Sequence, residues 1–121
     1  MARVTASATL LGAAELLRNK PRKAVARVGL LEVRDDLAPA SRLVLGRALI
    51  ATNATRRARV MLRPLEGTDR YGPITTRLLA EAELIDGNAP KAARLFDAAF
   101  DKNPDDAVTR RHLADLESKR P

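Results

Sequence analysis

The chain has 121 residues, 45% of them apolar and 2% aromatic, with a formal net charge of +7 and no cysteine. That length suits one folding unit with a modest core. The lack of cysteine excludes disulfides and thiolate chemistry, and no apolar window approaches the ~18–20 residues that cross a bilayer.

Ala and Leu supply most of the apolar content, which favours helices packed closely through small residues. Helix 1 is predicted from Thr5 to Arg18, with Leu10, Leu11, Ala14 and Leu17 on one face. Arg3 followed by Ala6-Ser7-Ala8 has the outline of a signal peptide, but the run continues amphipathically through Glu15, so a helix of the fold is expected. Asn19-Lys20 turns the chain, and Pro21 opens helix 2, which is predicted to reach Arg34 with Ala24, Val28 and Leu31 inward. Asp35-Asp36 breaks the pattern. Helix 3 runs from Pro39 to Thr52 with Leu45, Gly46 and Leu49 inward, and Asn53 turns the chain again.

Helix 4 starts near Thr55 and buries Ala58, Met61 and Leu62. Pro64 removes a helical hydrogen bond, so this helix should end early or kink, leaving 66–72 as the longest loop. Helix 5 spans Pro73 to Ile85 and helix 6 Ala89 to Lys102, where Phe96 and Phe100 should form the largest core anchor. Helix 7, Asp105 to Lys119, begins with acids and ends with Lys119-Arg120, matching the helix dipole at both ends.

One period links these elements. Leu11-Gly12, Leu45-Gly46, Leu79-Ala80 and Leu113-Ala114 are each 34 residues apart. Ala24, Ala58 and Ala92 share that step, as do the turn residues Asn19, Asn53 and Gly87. Several independent features on one period indicate an array of helical hairpins. The expected fold is all-α, a single domain 1–121 with repeats at about 5–38, 39–72 and 73–106 and a capping helix at 105–119.

Leu79-Ala80, Ala92, Phe96, Ala99 and Pro104 resemble the tetratricopeptide repeat family, whose unit has a Leu-Gly pair, small residues at set places and a closing proline. Leu11-Gly12, Ala24, Val28 and Leu31 make a second copy; Leu45-Gly46, Ala58, Leu62 and Leu65 make a third. The copies are degenerate, with Asp36 and Arg70 in the proline slot and no Trp or Tyr in the first helices. The resemblance implies a right-handed α-α superhelix whose first helices line a concave groove for a peptide or helix of a partner protein. Its groove slots fall on Thr9, Ala13, Leu43, Arg47, Arg77, Glu81, Arg111 and Asp115. The clamp that family members use for acidic chaperone tails would need Lys, Asn and Arg where Thr9, Ala13, Val44, Ile74 and Leu78 stand, so that ligand is disfavoured.

Charge supplies the remaining candidates. Residues 1–72 hold 14 Lys and Arg against 6 Asp and Glu, whereas residues 73–121 hold 8 against 9. Arg47, Arg77 and Arg111 can form a guanidinium ladder for an acidic segment, or can pair with Glu81 and Asp115 and merely solvate the surface. Lys20, Arg22 and Lys23 recur as Arg56, Arg57 and Arg59 at the start of the next second helix. They form an anion-binding patch or a solvated face, and no aromatic platform accompanies them. The single His112 cannot build a metal site, and no phosphate loop, nucleophile elbow or isolated carboxylate pair appears. A non-catalytic, cofactor-free protein-binding scaffold in the cytoplasm is the expectation. The alternatives are a nucleic-acid-associated protein using the basic patch, and a structural or artificial repeat segment without a ligand.

Overall fold

In a computed structural model, residues 2–34 and 36–119 are described, with side chains from Ala6 onward. Among them the chain is all-α, with seven helices and no strand. Helices α1 (Ala2–Leu17), α2 (Pro21–Val28), α3 (Pro39–Ala51) and α4 (Thr55–Leu62) are followed by α5 (Gly72–Ile85), α6 (Ala89–Lys102) and α7 (Ala107–Ser118). The chain divides into two compact units, Met1–Pro64 and Leu65–Pro121. In the first, α1 pairs with α2 and α3 with α4, and α3 also packs on α1 and α2. In the second, α5 pairs with α6, and α7 packs on α6.

The three hairpins turn in the same way. Asn19, Asn53 and Gly87 adopt φ of 57°, 64° and 84°, the left-handed region that Asn and Gly enter most readily. Each turn closes through the same pair of backbone bonds. The amides of Lys20, Ala54 and Asn88 donate to the carbonyls of Glu15, Leu49 and Glu83 at 2.8, 2.8 and 2.9 Å. Those of Asn19, Asn53 and Gly87 donate to Leu16, Ile50 and Leu84 at 3.0, 3.0 and 3.1 Å. These are the two bonds of the Schellman C-cap, which satisfy carbonyls left free at the helix end. Asn53, which also begins an Asn-Ala-Thr glycosylation triplet, is accounted for by backbone conformation. Asn53→Ala should cost about 1 kcal/mol, because Cβ disfavours this conformation, while Asn53→Gly should cost almost nothing. Urea unfolding followed by circular dichroism measures both.

The helix pairs also share one contact. A Cβ added to Gly12 would lie 2.8 Å from Val28 Cγ1, and one added to Gly46 would lie 2.6 Å from Leu62 Cγ. Ala80 packs with Phe96 and Ala92, all three fully buried. The small residue of the first helix thus faces the large residue of the second, and the pairing repeats every 34 positions. Close approach explains why Gly stays in two helix interiors despite its conformational cost.

Several local expectations change. Helix 2 was expected to continue to Arg34, but the α-helix stops at Val28 and Gly29–Val33 is a 3₁₀ turn. Gly29 is a weak helix former, and tightening to 3₁₀ still buries Leu31. The equivalent change after Leu62, with Arg63–Leu65 in 3₁₀ form, is the early end expected from Pro64. Helix 7 starts two residues later than Asp105, because Asp106 is its N-cap. The predicted inner face of helix 1 is also wrong. Leu10 and Leu17 are 71% and 87% exposed and Leu11 is 49% exposed, while Gly12 and Glu15 are buried. Packing Gly12 on Val28 turns the leucines away from the hairpin partner. Asp35 and Arg120, read as helix stop and helix end, lie outside the described residues.

Candidate functional site

The predicted groove residues divide between the units. In the first, Thr9 is half-buried and its hydroxyl shares a 2.7 Å hydrogen bond with Ser41 across α1 and α3. Leu43 is half-buried on α3, and Arg47, one helical turn later, is exposed. These two form a surface stripe with one apolar and one cationic side chain.

In the second unit, Arg77 and Glu81 belong to a brace that joins all three helices. The Arg77 side chain is 13% exposed and its Nε lies 3.1 Å from Asp106 Oδ2. Its Nη1 lies 3.7 Å from Glu81 Oε2. Neither Arg77 Nε nor Glu81 Oε2 has a hydrogen bond, so charge rather than directed bonding holds them together. Glu81 Oε1 is 3.4 Å from His112 Nε2, and the His112 ring stacks on Phe96 at 4.6 Å and 15°. His112, 25% exposed, seals the core edge between α6 and α7. Arg111 and Asp115 are exposed on α7, and Asp115 gives only its carbonyl, to the Ser118 hydroxyl at 2.8 Å. Arg77 thus pairs with Glu81, as the solvating alternative holds, but its second partner is Asp106 rather than Asp115.

Asp106 was missed as an organising residue. Its Oδ1 accepts from the Val108 amide at 3.0 Å and its Oδ2 accepts from the Thr109 hydroxyl at 2.9 Å. Burial pushes the carboxyl pKa up, but the Thr109 hydroxyl, the Arg77 charge and the Val108 and Thr109 amides outweigh it and hold it below the usual aspartate range. A depressed acid contributes stability that is complete above its unfolded pKa and lost as pH falls through the folded value. Its contribution should therefore decline only as the pH falls below about 4. Asp106→Asn, which can still cap, should unfold in acid with a weaker dependence in that range, measured by circular dichroism. The signal was present in the sequence. Ser41, Thr75 and Thr109 are 34 residues apart and all buried, so Asp106 lies one helical turn before a recurring inward hydroxyl.

In the basic patch, Lys20, Arg22, Lys23 and Arg56 are exposed, and Arg59 is half-buried. Arg57 is engaged: its Nε lies 3.1 and 2.9 Å from the two carboxylate oxygens of Glu32, which tie the start of α4 to the turn after α2. That forked hydrogen bond lowers the Glu32 pKa against the effect of burial, with the Arg57 charge adding to it, and raises that of Arg57. Two further features lie in the second unit. A hollow of about 430 Å³ is lined by Glu66, Thr68, Asp69, Gly72 and Lys102. Lys102 Nζ donates to the Thr76 hydroxyl at 3.1 Å, so its charge is held at the wall. Among the described residues no three His, Asp or Glu side chains are grouped to hold a metal ion, and no helix is long and apolar enough to cross a membrane. The chain matches no protein-family model and no curated protein.

Proposed function

We propose that this chain is a tetratricopeptide-like, non-catalytic scaffold that binds a segment of another protein on the first-helix faces of its hairpins. One observation carries the reading: turn conformation, capping bonds and the small-to-large helix contact recur on one 34-residue period in all three hairpins. A chain built from one repeated hairpin offers the same surface several times, which suits extended ligands. The available side chains differ from the full ladder. Arg77 and Glu81 are occupied in bracing α5 to α7, so recognition in this reading falls to Leu43 and Arg47 in the first unit and to Arg111 and Asp115 in the second. Leu43 supplies an apolar contact and Arg47 a fork for a carboxylate.

The test is capture from nuclease-treated lysate at physiological salt, comparing the wild type with Leu43→Ser/Arg47→Ala. A discrete protein retained by the wild type and lost by the variant, with helix content unchanged, is the expected result. Equal retention by both, or retention only when nuclease is omitted, rejects the reading.

A further inference from the structure

We propose that the first unit docks on anionic lipid surfaces through the outer sides of α2 and α4 and of the 3₁₀ turns that follow them, a role separate from partner binding at the first helices.

The charge of the chain is concentrated in this unit. Residues 1–64 contain 13 Lys and Arg against 4 Asp and Glu, a net +9, whereas residues 65–121 carry 9 against 11. Helices α2 and α4 contain no acid. The described acids of the unit are withdrawn from the outer sides of α2 and α4. Glu32 is bound by Arg57, Asp36 is paired with Arg34 at 3.2 Å, and Glu15 is buried. Arg22, Arg56 and Arg63 are exposed, with no acid paired to them among the described residues.

Helical spacing places these cations together with apolar side chains. On α2 the buried residues are Ala24 and Val28, followed by Leu31 in the 3₁₀ turn; on α4 they are Ala58, Met61 and Leu62. The opposite side therefore carries Arg22 and Ala26 on α2 and Arg56 and Val60 on α4, and the 3₁₀ turns that follow add exposed Leu30, Val33 and Arg63. Arg22 and Arg56 hold the same position of the repeat, as do Ala26 and Val60. The Glu32–Arg57 pair ties the 3₁₀ turn after α2 to the start of α4. Leu30, Val33 and Val60 are 86%, 89% and 61% exposed. Each second helix with its 3₁₀ turn thus exposes cations and large apolar groups side by side.

This mixture selects among anionic ligands. The cations suit any phosphate-bearing partner. The apolar side chains are different, because a nucleic-acid backbone offers them nothing to bury against, whereas the headgroup–acyl boundary does. The unit also has no aromatic residue, since Tyr71, Phe96 and Phe100 all lie in the second, so it has no platform on which bases stack. An anionic bilayer satisfies both kinds of side chain.

The experiment is co-sedimentation of the full chain with vesicles of phosphatidylcholine, or of phosphatidylcholine and phosphatidylserine at about seven to three, at physiological salt. A fluorescence titration with short duplex DNA runs beside it. We expect binding to the anionic vesicles and none to the neutral ones. Arg22→Gln/Arg56→Gln should weaken it by about 25-fold, roughly five-fold for each cation. Leu30→Ser/Val33→Ser should weaken vesicle binding by at least about tenfold and leave any DNA binding unchanged. Leu43→Ser/Arg47→Ala should bind vesicles as the wild type does, which keeps this outcome independent of the proposed partner site. Failure to bind anionic vesicles overturns the proposal. So does loss-free binding by the Leu30/Val33 variant with tighter binding to DNA, which would make the surface a nucleic-acid contact.

Discussion

Phe96→Ala should destabilise the second unit by about 3–5 kcal/mol, the largest effect expected of a single truncation in this chain. Phe96 is fully buried, packs on Ala80 and Ala92, and carries the His112 ring on its face. Removing it takes away the only fully buried aromatic side chain among the described residues and opens a cavity between α5 and α6. It also leaves His112 without its stacking partner, which loosens α7. With total stabilities of about 5–15 kcal/mol, a loss of that size would leave the unit largely unfolded near its melting range. Phe96→Leu, which installs the residue that the second hairpin has at this position, should cost much less. Urea unfolding followed by circular dichroism separates these outcomes, and a loss below about 1 kcal/mol for the alanine variant would contradict the packing described.

Gly46→Val should destabilise the first unit by about 3 kcal/mol, and here the sign of the effect carries the argument. In an ordinary helix, replacing Gly by a residue with a side chain gains stability, because Gly loses the most backbone freedom on folding. At Gly46 the added carbon would overlap the Leu62 side chain, which is itself fully buried and cannot swing into solvent. Leu62→Ala alone should cost about 2–5 kcal/mol by leaving a cavity. Combined, the two changes should cost less than their sum by about 1–3 kcal/mol, since each makes room for or fills the space of the other. Gly67→Ala is the control, since nothing lies within 4 Å of a Cβ added there. Additive costs at Gly46 and Leu62 would show that the two residues do not meet.

The hairpins were legible in the sequence because their determinants are local and repeat. Asn19, Asn53 and Gly87 mark turns by their own backbone preferences, and the proline near the start of α2, α3, α5 and α6 sets each helix start. At α6 the Asn88 side chain also caps the start, and Asn103 stands at the end. Less legible was which way α1 faces. Its leucines make an attractive stripe by spacing, yet Gly12 decides the packing because only a residue without a side chain permits the approach to Val28. Periodicity counts apolar residues and is blind to the advantage of having none.

The basic character of the first half is visible in the sequence, but pairing is not. Arg57 looks equivalent to Lys23 until Glu32, 25 positions away, is brought to it by the 3₁₀ turn after α2. Arg77 looks equivalent to Arg111 until Asp106 arrives beside it as the cap of α7. Both pairings depend on where a helix ends, the feature least determined by apolar spacing. Positions shared between repeats therefore identify candidate contacts, and tertiary neighbours decide which of them remain available.

The most direct test of the proposed scaffold is hydroxyl-radical footprinting of side chains with a captured partner bound, because it reads which helix faces the partner covers. Leu43 on α3 should lose reactivity in the complex while Leu30, Val33 and Val60 keep theirs. The reverse pattern, with Leu43 unchanged and Leu30, Val33 and Val60 protected, would contradict partner binding at the first helices.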